Sequence, residues 1–265
     1  MDNLDWVAGV DPNTPNVARM YDYLIRGKNH FPADIAAAEQ IMKITPFYQP
    51  TAIENRYFLR RAVTHLTTLG IRQFLDIGAG LPTQGNVHEV APHARVVYVD
   101  NDPVVIAHAH ALMANTDRVR VVHADARQPH HILSHPDVHN FINWDEPVGL
   151  LMVAVLHFIS DSDGAYEHVT QFRDALPAGS YLTVTHATMD GFDPAWVSGA
   201  KGVYAKSSAK ATLRSYAEVE RFFTGFDLEP PGKLVYIPEW HPDGIREPFP
   251  PEAIGVYGAV GKVRR

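Results

Sequence analysis

Residues 74–83 read FLDIGAGLPT, and this stretch restricts the possible folds more than any other part of the chain. A short apolar run from Gln73 to Ile77 carries an acid at Asp76 and breaks at Gly78 and Gly80, which is how a buried parallel strand passes into a tight turn. Lacking a Cβ, glycine reaches backbone angles closed to other residues and lets a ligand lie against the main chain. A second apolar strand, Arg95 to Val99, ends in Asp100, twenty positions beyond Gly80. A carboxylate so placed can accept both hydroxyls of a ribose. The dinucleotide pattern G-x-G-x-x-G would need a third glycine where this chain has Thr83, which weakens the case for a nicotinamide-dependent oxidoreductase.

At 265 residues the chain can bury a large core as one domain, or as one domain with an appendage. It has no cysteine, which excludes disulfides, thiolate metal sites and cysteine nucleophiles and makes a reducing cytoplasm the expected compartment. The stretch MDNLDWVAGVD is acidic and lacks an apolar core of signal-peptide length. No segment approaches a membrane span. With 23 basic against 30 acidic residues, the net charge of −7 argues against a broad nucleic-acid surface.

Thr14 and Pro15 are the expected N-cap and first position of a helix carrying Val17, Met20 and Leu24 on one face, with Gly27 closing it. A second helix is expected from Pro32 to about Ile44 and a third from about Thr51 to Leu69, with Leu59, Val63 and Leu66 at helical spacing. From Arg72 the texture changes to alternating strands and helices, the mark of a parallel sheet covered on both faces. Pro103 opens a helix running to about Ala114. A third strand, Arg118 to His123, ends in HADAR (123–127). A fourth, Val148 to Leu156, ends in LHFISD (156–161). A helix from about Gly164 to Leu176 leads to a fifth strand at 180–186, and Ser215 with Glu218 forms a capping box for the next helix. Residues 233–238 and 255–263 are expected to be the last two strands, joined by a proline-rich loop.

These residues resemble the class I S-adenosylmethionine (SAM) methyltransferases over about Arg72 to Val263, beginning with the D-x-G-x-G of Asp76, Gly78 and Gly80. More narrowly, the chain is similar to the actinomycete S-adenosyl methyltransferase family first catalogued as a domain of unknown function. The matching segments include VARMYDYLIRGKNHF (17–31), NRYFLRRAV (55–63), RQFLDIGAGLPTQGNVHEVA (72–91), ARVVYVDNDPVV (94–105), VAVLHFISD (153–161), GSYLTVTHAT (179–188) and RSYAEVERFFTGFDLEPPG (214–232). The resemblance implies an α/β fold with a Rossmann-like, seven-stranded sheet whose last strand is antiparallel. Residues 1–70 would be a helical extension lying over the cofactor, and 71–265 the methyltransferase domain. The short stretch between Val87 and Arg95 departs from the pattern and implies a trimmed first crossover helix.

The implied cofactor is SAM, with S-adenosylhomocysteine (SAH) as product, and the implied contacts are Asp76, Gly78, Ala79, Gly80, Asp100, Asn101, Asp125, Ala126, Arg127, Ala154, His157 and Phe158. In such enzymes the position of Asp125 faces the adenine amino group, and Ala126 can offer its N–H to the ring; the bland alternative for Asp125 is an ordinary N-cap. His157 is either a general base or a pocket wall, and His186, at the end of the fifth strand, is a second candidate base. Arg19, Tyr21, Arg26, Lys28, Asn29 and Phe31 form an unusual cluster. A cation there suits the methionyl carboxylate and an aromatic ring suits adenine or sulfonium, against the alternative of a solvated face and a capped turn. The loops 191–211 and 239–251, with Trp196, Tyr204, Trp240 and His241, are the expected acceptor-side walls. His130, His131, His135 and His139 invite a metal site, but Pro136 interrupts the helix and no carboxylate motif accompanies them, so none is expected. The expected partner is a small-molecule acceptor, with no nucleic acid and no membrane. Monomer and homodimer stay open, as does a SAM-binding sensor without turnover.

Overall fold

Gln73–Ile77, buried at every position, forms β1 near the middle of the sheet in the computed structural model. The structure describes residues 11–264 except 84, 114–115, 189, 193–201, 203–209 and 242–253. On one side β1 pairs in parallel with β2 (Arg95–Asp100), which pairs with β3 (Val119–His123). On the other it pairs with β4 (Gly149–Val153), which pairs with β5 (Tyr181–Ala187). These strands show little alternation because helices cover both faces of the sheet. β8 (Val256–Val263) returns antiparallel along the whole of β5, so its remaining edge takes both β6 (Phe226–Leu228) and β7 (Val235–Tyr236). The resulting order is β3-β2-β1-β4-β5-β8-β6, with β7 also on β8. β6 and β7 run in one direction, end to end, as a single strand interrupted by residues 229–234.

The strand expected at 233–238 therefore shrinks to two residues, because Ile237–Glu239 coils into a 3-10 turn at Pro238. β6 is too short to show a period and is not legible beforehand. The fourth strand also stops early. Its apolar run continues to Leu156, but Ala154 turns to φ +57° and Leu156–Phe158 forms another 3-10 turn.

Among the helices, α1 (Val17–Leu24) is capped by Asn16 in place of the expected Thr14, the Asn16 side chain accepting the N–H groups of Ala18 and Arg19. α2 (Pro32–Ile44) matches its expected range. α3 (Tyr48–Thr68) begins three residues before the expected Thr51, since Pro50 sits in a first turn that needs no N–H donor. Its stripe of Phe58, Leu59, Ala62, Val63 and Leu66 packs in one cluster with Phe74, Val96 and Val260 of the sheet. The trimmed crossover helix is the single turn α4 (Val87–Val90). α5 (Pro103–Met113) follows β2. α6 (Pro129–Ser134) and α7 (Pro136–His139) are split at Pro136. The opposite sheet face packs α8 (Ala165–Ala175) through Val169 and Phe172 against Leu75, Ile77 and Met152. α9 (Tyr216–Glu220) carries the expected capping box of Ser215 and Glu218. Among the described residues, no helix is long and apolar enough to cross a membrane.

Candidate functional site

The C-terminal ends of β1 to β4 open into a cavity of about 1070 Å³, where ligands bind in open α/β sheets. α1, α2 and α3 wall its other side. Gly78, Ala79, Gly80, Asp100, Asn101, Asp125, Ala126, Arg127, Ala154, His157, Phe158 and Tyr21 all line it. The sequence scatters these positions over more than a hundred residues, and the strand order gathers them.

The two glycines serve different needs. At Gly78 (φ +73°) a Cβ would lie 2.5 Å from the Val155 side chain, so the turn after β1 packs directly on the chain leaving β4. At Gly80 (φ +67°) a Cβ would meet nothing within 4 Å, and the need there is the backbone angle itself. The Gly80 N–H donates to Asp100 Oδ2 at 2.9 Å, while the Asp102 N–H donates to Oδ1 at 2.9 Å. That is the physical content of the twenty-residue spacing. Each carboxylate oxygen keeps a lone pair for a ligand.

Six aspartates, at 11, 76, 100, 102, 125 and 163, line the cavity. Burial pushes the Asp76 carboxyl up to about 7, Asp100 adding to the rise and Arg56 opposing it. Burial likewise raises Asp100, against the N–H groups of Asp102 and Gly80. Asp125 is held low, chiefly by Arg127, whose Nε and Nη2 grip its carboxylate at 2.5–3.0 Å.

His157 is buried on the cavity wall, with Nδ1 lacking a hydrogen-bond partner among the described residues. Burial, then Arg214, lowers it to about 3, so the imidazole is neutral. His186 lies behind it, fully buried, with ring centroids 5.6 Å apart. Arg214 donates to His186 Nε2 at 2.7 Å, which leaves the proton on Nδ1 to face the Ala187 carbonyl at 2.7 Å. His186 does not line the cavity, so the expectation of a second base there gives way to a buried anchor for Arg214.

The cluster after α1 also differs from expectation. Arg26, Asn29 and Phe31 are not among the cavity-lining residues. The segment instead wraps two buried aspartates: the Asp22 carboxylate takes the Asn29 N–H, His30 Nδ1 and the Thr83 hydroxyl, and Asp34 takes Arg19 Nε and the N–H groups of Asn16 and Phe31. Phe31 lies under the Arg19 guanidinium at 4.9 Å, and Arg26 is exposed with φ +62°. Buried charges demand such partners, and that demand accounts for Arg19, His30 and the main chain at Asn29 and Phe31.

Trp240 is likewise core, fully buried between Phe58 and His65, and does not line the cavity. Trp196, Tyr204 and most of both expected acceptor loops lie outside the described residues. The histidines at 130, 131, 135 and 139 fall on or beside the two short helices, and no group of three or more His, Cys, Asp or Glu among the described residues could hold a metal. Asn55, which lines the cavity, and Thr185, buried behind it, are not singled out by the sequence. A signal for Asn55 existed: it falls on the same stripe as Phe58, Leu59 and Ala62, a polar residue on an apolar helix face.

A family model described as S-adenosyl methyltransferase matches residues 6–264. Two solved structures align over nearly the full length. One, from Thermobifida fusca, is described as a candidate methyltransferase; it is 40% identical with a TM-score of 0.89, covering 97% of this chain and 98% of that one. The other, a DUF574 family protein from Streptomyces avermitilis, is 39% identical with a TM-score of 0.90, covering 96% and 99%. The N-methyltransferase NodS of Bradyrhizobium japonicum, in complex with SAH, shares the fold at 13% identity and a TM-score of 0.53, over 93% of this chain and 100% of that one. No curated protein matches the chain.

Proposed function

Because the chain belongs to the S-adenosyl methyltransferase family, whose cofactor is SAM, we propose that the cavity holds SAM across the ends of β1 to β4 and receives a small-molecule acceptor beside it. The observation that supports this most is the Asp100 carboxylate, pinned by Gly80 and Asp102 with lone pairs to spare. The family match removes the nicotinamide alternative that Thr83 already weakened. When bound, SAM supplies a methyl group activated by its positive sulfonium.

Asp100 accepts the ribose hydroxyls, with Asn101 beside it. Asp125 accepts from the adenine amino group, Arg127 holding its carboxylate in place, and the Ala126 N–H serves the ring. Gly78, Ala79 and Gly80 leave room for the methionyl part against the main chain. Asp76, Ala154 and Phe158 complete that wall, and Tyr21 closes it from α1.

Methyl transfer asks a protein mainly to align the acceptor and exclude water. His157 suits that work as a wall: a neutral imidazole does not repel a sulfonium. With a conjugate acid near 3 it is a poor proton acceptor, so His157 is assigned to the wall and not to proton removal. Calorimetry with SAM, SAH and NAD tests the assignment. We expect both adenosyl compounds to bind and NAD not to, followed by label transfer from methyl-labelled SAM to a small molecule in cell extract. Binding of NAD without any response to SAM would overturn it.

A further inference from the structure

Ala154 holds a left-handed backbone angle, φ +57°, where its Cβ is strained. Such a residue persists only when its surroundings fix it, and here a chain of hydrogen bonds does so. The Ala154 N–H donates to Thr185 Oγ1 at 2.9 Å and lies 3.3 Å from the Thr185 carbonyl oxygen. The Thr185 hydroxyl donates to Asn55 Oδ1 at 2.7 Å. Asn55 Nδ2 donates to the Tyr21 hydroxyl at 2.9 Å, which donates to the Ala52 carbonyl at 3.0 Å. Each group in the chain donates to the next, and Asn55 and Thr185 are buried. The chain joins α1, α3 and β5 to the turn after β4.

That turn sets the next residue against the glycine turn. Val155 stands where a Cβ of Gly78 would be, at 2.5 Å. Gly78 follows β1 and Ala154 follows β4, and the two strands are neighbours in the sheet. A relaxed Ala154 would swing Val155 and release the backbone from Gly78 to Gly80.

We propose that Tyr21, Asn55 and Thr185 are positioning residues that hold the Ala154–Val155 turn against Gly78 and so tie the seating of α1 to cofactor affinity. The proposal rests on the cavity being the SAM site. It assigns work to Tyr21 on α1 and Asn55 on α3, which also line the cavity, and to a threonine of β5 that does not line it and whose hydroxyl sits between the Ala154 N–H and Asn55 Oδ1. Hydrogen bonds inside such a buried network reinforce one another, so losing one link loosens the rest.

The test uses the full chain and SAH binding by calorimetry, with urea unfolding measured on every variant. Wild-type binding of SAH is the control for the site itself; its absence would remove the SAM assignment before the proposal is reached. Given that control, Thr185→Val, which keeps shape and removes the hydroxyl, should weaken SAH binding about tenfold. Ala154→Gly removes the strain that the hydroxyl opposes. The double variant Ala154→Gly with Thr185→Val should therefore recover most of the lost affinity although the hydroxyl is still missing. Asn55→Leu should weaken binding comparably and be rescued by the same glycine. Affinity that follows urea stability alone, unchanged in Thr185→Val or equally poor with and without the glycine, would show a purely structural threonine and overturn the proposal. Should Asn55→Leu fail to fold, the threonine pair decides the outcome alone.

Discussion

Replacing Asp100 by alanine should weaken SAH binding by about 1.5–3 kcal/mol, roughly ten- to hundred-fold, by removing charge-assisted acceptors for two hydroxyls. Calorimetry on a variant with native circular dichroism checks it. Buried histidines make a second prediction, in pH. His157 titrates near 3 in the fold against an ordinary value of 6.5, and His186 is also driven well down by burial. Above 6.5 both states are neutral. Below it the unfolded chain binds protons that the native site refuses, so stability falls as pH drops from about 6.5. His157→Gln should reduce this acid sensitivity by up to about 1.4 kcal/mol per pH unit, read as the pH 7 minus pH 5 difference in urea-unfolding free energy. Asp76 has the opposite sign. Its carboxyl titrates near 7 against 3.8, so its contribution is present at low pH and is lost as pH rises between those values, and Asp76→Asn should steepen the acid sensitivity. That Asp100 stands at the cavity beside the glycine turn was legible, because it closes a strand at fixed spacing from Gly80. Thr185 was not, since a strand threonine looks the same whether its hydroxyl faces a neighbour or holds a turn.

α1 and the loop behind it separate into a part that faces the cavity and a part that does not. Asn16, Val17, Ala18, Arg19, Tyr21 and Leu24 line it, while 25–31 wraps Asp22 and Asp34. Hydrogen exchange should therefore slow on adding SAH across 17–24, with a smaller change across 26–31; an equal response in both would mean that the loop also touches ligand. Gly27→Ala should destabilise by roughly 1–3 kcal/mol in urea unfolding, because its Cβ would lie 2.0 Å from the Asp22 carboxylate. Arg26→Gly should leave SAH affinity unchanged and slightly raise stability by relieving a positive φ. Helix existence was legible throughout this region from periodicity and punctuation. The purpose of the loop was not, because partners of a buried acid and partners of a ligand carboxylate are drawn from the same residue types.

The helical prefix is not uniform in what it contributes. Through Phe58, Leu59, Ala62, Val63 and Leu66, α3 fills one face of the sheet, and burying five such side chains is worth on the order of 10 kcal/mol, comparable with the whole stability of a domain. A chain beginning at residue 32 should keep native circular dichroism and bind SAH weakly, whereas one beginning at 71 should not fold. The parallel sheet covered on both faces followed from the alternation of strands and helices, and its antiparallel last strand from the family pattern. The split of its last position between β6 and β7 did not, since neither piece is long enough to carry a period. The aspartates around the cavity bear on traffic through it. Against Arg19, Arg56, Arg127 and Lys210 they leave the described lining negative, even with Asp76 partly protonated near neutrality. SAM arrives with a sulfonium charge that SAH has lost, so the same field that draws in the fresh cofactor has a weaker hold on the spent one. Raising salt from about 0.1 M to about 1 M shortens the screening length from about 10 Å to about 3 Å. It should erode the affinity for SAM more than that for SAH, and with it the lead that the incoming molecule has over the one it must displace.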